Sequence, residues 1–401
     1  MAKEANTKRR IDPKLLAHGG MDIPFLVLVL VLLTIGLIMM FSASYTYCYY
    51  NNNGDSFYYL KRQLFFAVVG IAAMFIASKF HYATYRALAK PAVLISYALL
   101  VLVLILPPPQ GFEEFHRWIT IPGVTTFQPS EIAKLAVILY MAKDIGDNYR
   151  AINSGEKVKF RDREMQASWF YLGKYLLFVG SFCALIYLEN HVSGTILVFL
   201  FGALMAWFAG FDSKIFIFFI VLGAVVATIV ILNPTILPDH AEPRIYAWLD
   251  KDYDPQGTRW QTNNALYAIG SGGLFGVGIG NSKQKQLYVS EPMNDFIFSI
   301  VCEELGVIGA AIIMLLFVLL VWRGFYIGLH TRDKFAGLLA MGLSTQVGLQ
   351  AALNIAVVTD VLPNTGISLP FFSYGGTSLM MLLGEMGLIL GVSRYANIKK
   401  A

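Results

Sequence analysis

Ten apolar stretches separated by short charged segments organise this chain, at roughly 24–44, 63–79, 91–107, 131–146, 168–188, 193–210, 214–233, 295–322, 335–359 and 370–393. Most approach the roughly 20 residues that cross a bilayer as a helix. The pattern predicts an all-α polytopic membrane protein with about ten transmembrane helices. The fourth stretch, "PSEIAKLAVILYMAKDIG", is the most interrupted by charge, and Ser130 after Pro129 predicts a cap for a helix opening at Glu131. No repeat of the kind that marks many secondary transporters is visible. One connection is large, residues 234–294, between the seventh and eighth spans. A loop of that length is functional or disordered in most proteins, and this one is rich in Trp, Tyr, Leu and Ile, which argues for a folded cap.

Composition supports the membrane reading. Of 401 residues, 56% are hydrophobic and only 14% charged, against roughly 25% charged in a soluble protein; the mean hydropathy is +0.58. The net charge of +5 matters by position. Most Lys and Arg residues fall in "KEANTKRRIDPK", "KFHYATYRALAK", "GFDSK", "WRGFYIGLHTRDK", "RYANIKKA" and the segment from Lys143 to Glu164. An even number of spans separates these segments, so all can lie on one side. The positive-inside rule then puts both termini in the cytoplasm and residues 234–294 outside. The expected layout is a cytoplasmic tail 1–23, a membrane domain 24–394 and a cytoplasmic tail 395–401. No cleavage site follows the first apolar run, so it reads as a retained anchor. The basic balance is spent on topology, and no nucleic-acid partner is expected. Cys48, Cys183 and Cys302 show no metal or redox spacing.

Charges inside apolar stretches are costly and therefore informative. "EPMNDFIFSIVCEELG" (291–306) starts the eighth span with Asp295 and carries Glu303 and Glu304 deeper. On a helix from Asp295, Ser299 and Cys302 share its face and Glu303 lies about 80° round. Asp295 then sits near the outer interface, as a helix cap or as a general base of raised pKa. Glu303 or Glu304 must face the bundle interior or a partner. "FHRWITIPGVTTFQPSEIAK" (115–134) offers Arg117 and Trp118 at the outer face, then Glu131 and Lys134 at i and i+3. That set reads either as anchor and structural pair or as a lining for a phosphate-bearing head group. "GSGGLFGVGIGNSKQK" lacks the spacing of a nucleotide loop and presents Lys283, Lys285 and Tyr288 beside the membrane. "LNIAVVTDVLPNTGISLPFFSYGGTSLMM" (353–381) places two Pro-containing turns before the tenth span, as tight packing or as a cavity lining.

Together these segments resemble the SEDS family of cell-wall proteins (shape, elongation, division, sporulation), whose branches include FtsW, RodA and SpoVE. "RWITIPGVTTFQPSEIAK", "WQTNNALYAIGSGGLFGVGIGNSKQK", "NDFIFSIVCEELG" and "LPFFSYGGTS" occur in family order, and the similarity covers nearly all of 20–395. "SAS" and "NIAVVTDVLP" are similar to the FtsW and SpoVE branch. The resemblance implies a peptidoglycan glycosyltransferase of the bacterial cytoplasmic membrane. It would polymerise lipid II, the undecaprenyl-diphosphate-linked disaccharide-pentapeptide, for division or sporulation septa. The presumed catalytic aspartate of the family's "DFIF" motif is here Asp295. The matching motifs imply Arg117, Glu131, Lys134, Arg244, Gln261, Lys285, Glu303 and Ser373 as substrate-binding residues. A divalent cation (magnesium or manganese) could share the leaving-group charge, although no dedicated ligand set is readable. The implied partners are a class B penicillin-binding protein, through its single membrane helix, and other divisome or elongasome membrane proteins. Many relatives carry Pro-Asp-Leu-Gly-Thr where this chain has "LENHVSGT", with Asn190 and His191. A lipid II flippase is the alternative function for such a bundle.

Overall fold

A computed structural model describes residues 19–107, 117–121, 125–160, 163–237 and 241–398. Most of the expected N-terminal tail, and residues 399–401 of the C-terminal one, lie outside these. Among the described residues, ten long helices occupy the ten apolar stretches: α1 (Ile23–Asn51), α2 (Tyr58–Lys79), α3 (Tyr82–Ile105), α4 (Pro129–Asn153), α5 (Ala167–Leu188), α6 (Val192–Phe208), α7 (Ser213–Leu232), α10 (Ile297–Leu329), α11 (Lys334–Val358) and α12 (Gly376–Ser393). Two short helices, α8 (Glu242–Leu249) and α9 (Trp260–Ser271), lie in the large connection. The only sheets among the described residues are two hairpins, Ile119–Ile121 with Thr125–Phe127 and Lys157–Phe160 with Arg163–Gln166.

Among the described residues, seven helices are long and apolar enough by themselves to cross a membrane: α1, α2, α3, α5, α10, α11 and α12. Helix α4 is more polar and nevertheless deeply packed, with Ala133, Ala136, Val137, Ile138 and Met141 fully buried. Its side chains meet protein rather than lipid, so its charges are tolerated. The bundle surface is apolar instead, as at Leu177, 78% exposed on α5, and Leu94, 71% exposed on α3. Helix α2 packs most extensively on α12, and α10 on α11. Asp22 caps α1 through the Phe25 N–H (2.9 Å) and pairs with Arg323 of α10 (2.8 Å), while its own N–H donates to Ser393 (3.0 Å). One ion pair thus ties one end of α1, α10 and α12 together. The site lies at the other end.

Several boundaries depart from the sequence expectation. Gln128 is the N-cap of α4 and Pro129 its first residue, so Ser130 is not the cap. Helix α12 starts at Gly376 rather than 370 because Pro370 and a left-handed Phe371 (φ 66°) hold the preceding segment in a turn.

Helix α10 is broken at Gly306 (φ 69°, ψ −175°). The glycine-dense segment after α9 supplies the hydrogen bonds that the break removes. Val277 and Gly278 N–H donate to the Glu303 and Glu304 carbonyls (2.9 and 3.0 Å), and Val307 and Ile308 N–H donate to those of Gly273 and Leu274 (2.9 and 3.2 Å). A Cβ at Gly276 would stand 2.2 Å from the Glu304 carbonyl oxygen, and one at Gly306 2.3 Å from the Gly276 nitrogen. Only glycine permits this backbone-to-backbone approach. Leu274 and Phe275 meanwhile point outward, 62% and 80% exposed. Irregular backbone at membrane depth is acceptable when its polar groups are satisfied by protein, and here the loop and the broken helix satisfy each other.

Candidate active site

The α4, α6, α11 and α12 ends, the turn before α10 and the 366–376 segment enclose a cavity of about 420 Å³. Asp295 stands on its wall. Local sequence explains its position: residues 291–296 form turns and α10 begins only at Ile297, with Phe296 as N-cap and no side-chain cap. Asp295 is therefore not the helix cap. Its backbone is pinned by the fully buried Asn354 of α11, whose Nδ2 donates to the carbonyls of both Asp295 and Ile367 at 2.6 Å. Ser373 adds a second pin, its hydroxyl donating to the Asn294 carbonyl and accepting from the Leu369 N–H, both at 2.7 Å. The Tyr374 N–H donates to the Met293 carbonyl at 2.8 Å. The carboxylate faces Gly366, where a Cβ would lie 3.7 Å from Oδ2.

Burial pushes the Asp295 carboxyl up to about 6; its own and Phe296's backbone N–H and Arg244 oppose that rise, while Glu291 adds to it. Asp295 is thus poised between acid and base near neutral pH, the range in which a general base is effective.

Across the cavity Lys134 pairs with Glu131 at 2.9 Å, the two side chains 5% and 15% exposed. The Lys134 ammonium also reaches Gln350 Oε1 of α11 (3.5 Å), and Gln350 Nε2 donates to the Ser368 hydroxyl (3.0 Å). Arg117 and Trp118 line the same space. Arg117 donates to the Asn190 carbonyl. His191 lines the cavity beside Ser130 and Gln128, each 3.4 Å from Nδ1. Burial, with Arg117 and Lys134 nearby, pushes His191 down to about 3, so it is a neutral imidazole. Behind it the fully buried Glu189 is pushed up to about 8 by burial, against the pull of Arg117.

The cavity therefore gathers Asp295, Arg117, Glu131, Lys134 and Ser373 from three distant parts of the sequence. It does not include the other four residues expected to bind substrate. Arg244 on α8 makes a long contact to the Asn364 carbonyl (3.5 Å), and its charge reaches Asp295 and Arg117 from outside the wall. Gln261, in the first turn of α9, is half-buried away from the cavity. Lys285 turns inward, to Glu304 at 2.7 Å and Ser42 of α1 at 3.0 Å. Glu303 accepts from the Ser282 hydroxyl (2.5 Å) and the Lys283 N–H (2.8 Å). These charges anchor the glycine loop to α1 and α10. Asn354 and Gln350 were missed by sequence reasoning. With Gln346 they form a polar line at i, i+4 and i+8 on an apolar helix, a signal that one helix face meets polar surroundings.

Among the described residues no three His, Cys, Asp or Glu side chains converge as a metal-ligand group. Glu131, Glu291 and Asp295 line the cavity as three carboxylates, but Glu131 is paired with Lys134 and the three do not converge, which does not fit a dedicated metal site.

Comparison with known proteins bears on this arrangement. The family model described as "Cell cycle protein" (FTSW_RODA_SPOVE) matches residues 23–398. The chain is 38% identical to Stage V sporulation protein E of Bacillus subtilis (strain 168) over 377 residues, covering 94% of this chain and 97% of that one. It is 37% identical to a probable peptidoglycan glycosyltransferase FtsW of Geobacter metallireducens, covering 93% and 94%. Its fold is similar to a solved structure described as "Structural coordination of polymerization and crosslinking by a peptidoglycan synthase complex", with a TM-score of 0.72, 25% identity and coverage of 93% and 98%. It is also similar to the crystal structure of Thermus thermophilus RodA, with a TM-score of 0.64, 25% identity and coverage of 94% and 98%.

Proposed function

The chain belongs to the FtsW/RodA/SpoVE family of cell-cycle proteins, and from that membership and the geometry above we propose that it is a peptidoglycan glycosyltransferase polymerising lipid II. The observation that carries the reading is one half-buried carboxylate, Asp295, sharing a polar cavity with Lys134 and Arg117. Asp295 takes the proton from the 4-hydroxyl of the acceptor sugar as that oxygen attacks the anomeric carbon of the donor. The bond from that carbon to the undecaprenyl diphosphate breaks, and the diphosphate leaves with the electron pair. Lys134 and Arg117 stabilise the charge that develops on it, in a setting where water is partly excluded. Glu131 and Gln350 hold the Lys134 ammonium in place. No step is assigned to a metal ion.

Charge asymmetry supports cytoplasmic termini and an outer position for 234–294 and the cavity. A cysteine at position 159 and one at 252 should then label from opposite sides of intact cells. Labelling of both from outside contradicts that topology. Relatives named for a complex that coordinates polymerisation and crosslinking support a crosslinking partner, a class B penicillin-binding protein. The purified chain, with and without that partner, should convert lipid II into glycan polymer. Transfer of lipid II across liposome membranes without polymer would instead favour a flippase.

A further inference from the structure

A group of tyrosines adjoins the cavity through Tyr374, and the reaction above does not use it. Tyr374 lines the cavity next to Ser373. Its ring meets Tyr59 of α2 edge-on, with centroids 4.5 Å apart. Tyr59 in turn contacts Tyr58 (5.3 Å) and Tyr47 of α1 (6.2 Å). Arg62 donates to the Tyr58 hydroxyl (2.9 Å) and lies over that ring (5.1 Å to the centroid). The Arg62 charge also reaches the Tyr374 hydroxyl, and Glu291, on the cavity wall, acts on Tyr47 and Tyr59.

Tyrosines at the end of membrane helices ordinarily anchor in the lipid interface. Tyr49 and Tyr50 fit that description, 55% and 67% exposed and packed only on each other among the described rings. Tyr47, Tyr58, Tyr59 and Tyr374 are half-buried and pack on one another, with Tyr374 reaching the cavity. They come from three separate segments, so the arrangement is a product of the fold and not of one helix face.

We propose that Tyr374, Tyr59, Tyr58 and Arg62 form a saccharide-binding platform that holds the β-linked amino-sugar chain as it leaves the cavity. The proposal rests on the polymerase reading for the identity of the chain. Pyranose rings present apolar C–H faces that pack on aromatic rings, while their hydroxyl and N-acetyl groups need hydrogen-bond partners. Tyrosine offers both a ring and a hydroxyl, and the Arg62 guanidinium supplies hydrogen-bond donors for a hydroxyl or acetamido oxygen. The platform is continuous with the cavity through Tyr374, which lines the same space as Asp295. A bound product chain held there raises the local concentration of the growing end, which lengthens polymers.

The test uses the full chain in detergent and a soluble β-1,4-linked N-acetylglucosamine tetramer as the probe, with polymer length read in parallel on lipid II. The wild-type chain should bind the tetramer. Tyr58→Ala and Arg62→Ala should each weaken it about three- to tenfold, the scale of one lost stacking or hydrogen-bonding contact, and should shorten the polymer. Tyr58→Phe should lose less than Tyr58→Ala, and Tyr50→Ala should behave as wild type. Arg62 is exposed, so its removal leaves the bundle intact and carries the test if Tyr58→Ala disturbs α2. Absence of tetramer binding by wild type, or wild-type binding by both alanine variants, overturns the platform. Tetramer binding by a chain that never consumes lipid II overturns the polymerase reading and leaves the platform standing.

Discussion

Lys134–Glu131 and Lys285–Glu304 are the same two charges in two settings. Both pairs are short, 2.9 and 2.7 Å, and both lysines are buried, 5% and 3% exposed. The first borders a cavity with room for a ligand, and its ammonium is shared with only one weak amide contact. The second stands apart from that cavity: Ser42 donates to both Glu304 oxygens (2.8 and 2.7 Å) and accepts from the Lys285 ammonium (3.0 Å). A buried ion pair with all its hydrogen bonds filled by protein serves as a strut. One whose polar atoms face open space can meet a substrate. Charge at membrane depth marks both kinds, and packing decides between them.

Substitutions on either side should separate the two settings. Lys285→Met leaves Glu304 charged and unpaired in a dry site, a change worth about 3–5 kcal/mol. Thermal unfolding in detergent should show a large drop in stability, and a normal melting temperature would remove the strut. Lys134→Ala should be the reverse. Glu131 retains cavity contact, so stability should fall by about 1 kcal/mol or less, while lipid II turnover falls about 10²-fold, as for loss of one charge-stabilising group. Equal loss of fold and turnover would make this pair a second strut. Asn354→Ala frees the backbone on both sides of the cavity and should cost about tenfold in kcat, on the order of one hydrogen bond. Its melting temperature should change less than that of Lys285→Met.

The smallest effect is on pH. A carboxyl raised to about 6 binds its proton below that value and then has no free pair to accept another. The rate should therefore rise with pH through about 6 and level above it. An acid limb near 4 would mean that Asp295 is more solvated than its position in the wall implies.

The helices were legible because apolar runs of bilayer length have one stable outcome, and the ten long helices fall where the runs do. Asp295, Arg117 and Lys134 were legible as costly charges at the ends of apolar runs. The roles of Lys285 and Glu303 were not. Whether a lysine after a glycine-rich loop points to the cavity or into the protein depends on backbone bonds between 273–278 and 303–308, which join residues about 30 positions apart. Periodicity cannot express that pairing. The split of α10 at Gly306 was hidden for the same reason, since "EELGVIGA" reads as continuous helix. Asn354 carried a visible polar spacing on α11, but only the fold brings its amide to the Asp295 and Ile367 carbonyls together.

Everything in the proposed reaction turns on the Asp295 carboxylate as base, and Asp295→Asn tests that alone. Asparagine keeps the size of the side chain and its place before Phe296, so the variant should melt within about 1 kcal/mol of wild type. Loss of a general base is worth about 10² to 10⁴ in rate, or roughly 3 to 5 kcal/mol of barrier. With purified lipid II and partner present, Asp295→Asn should be folded and make almost no glycan polymer. Polymerisation at near the wild-type rate by that variant would contradict the assignment and move the base elsewhere in the cavity.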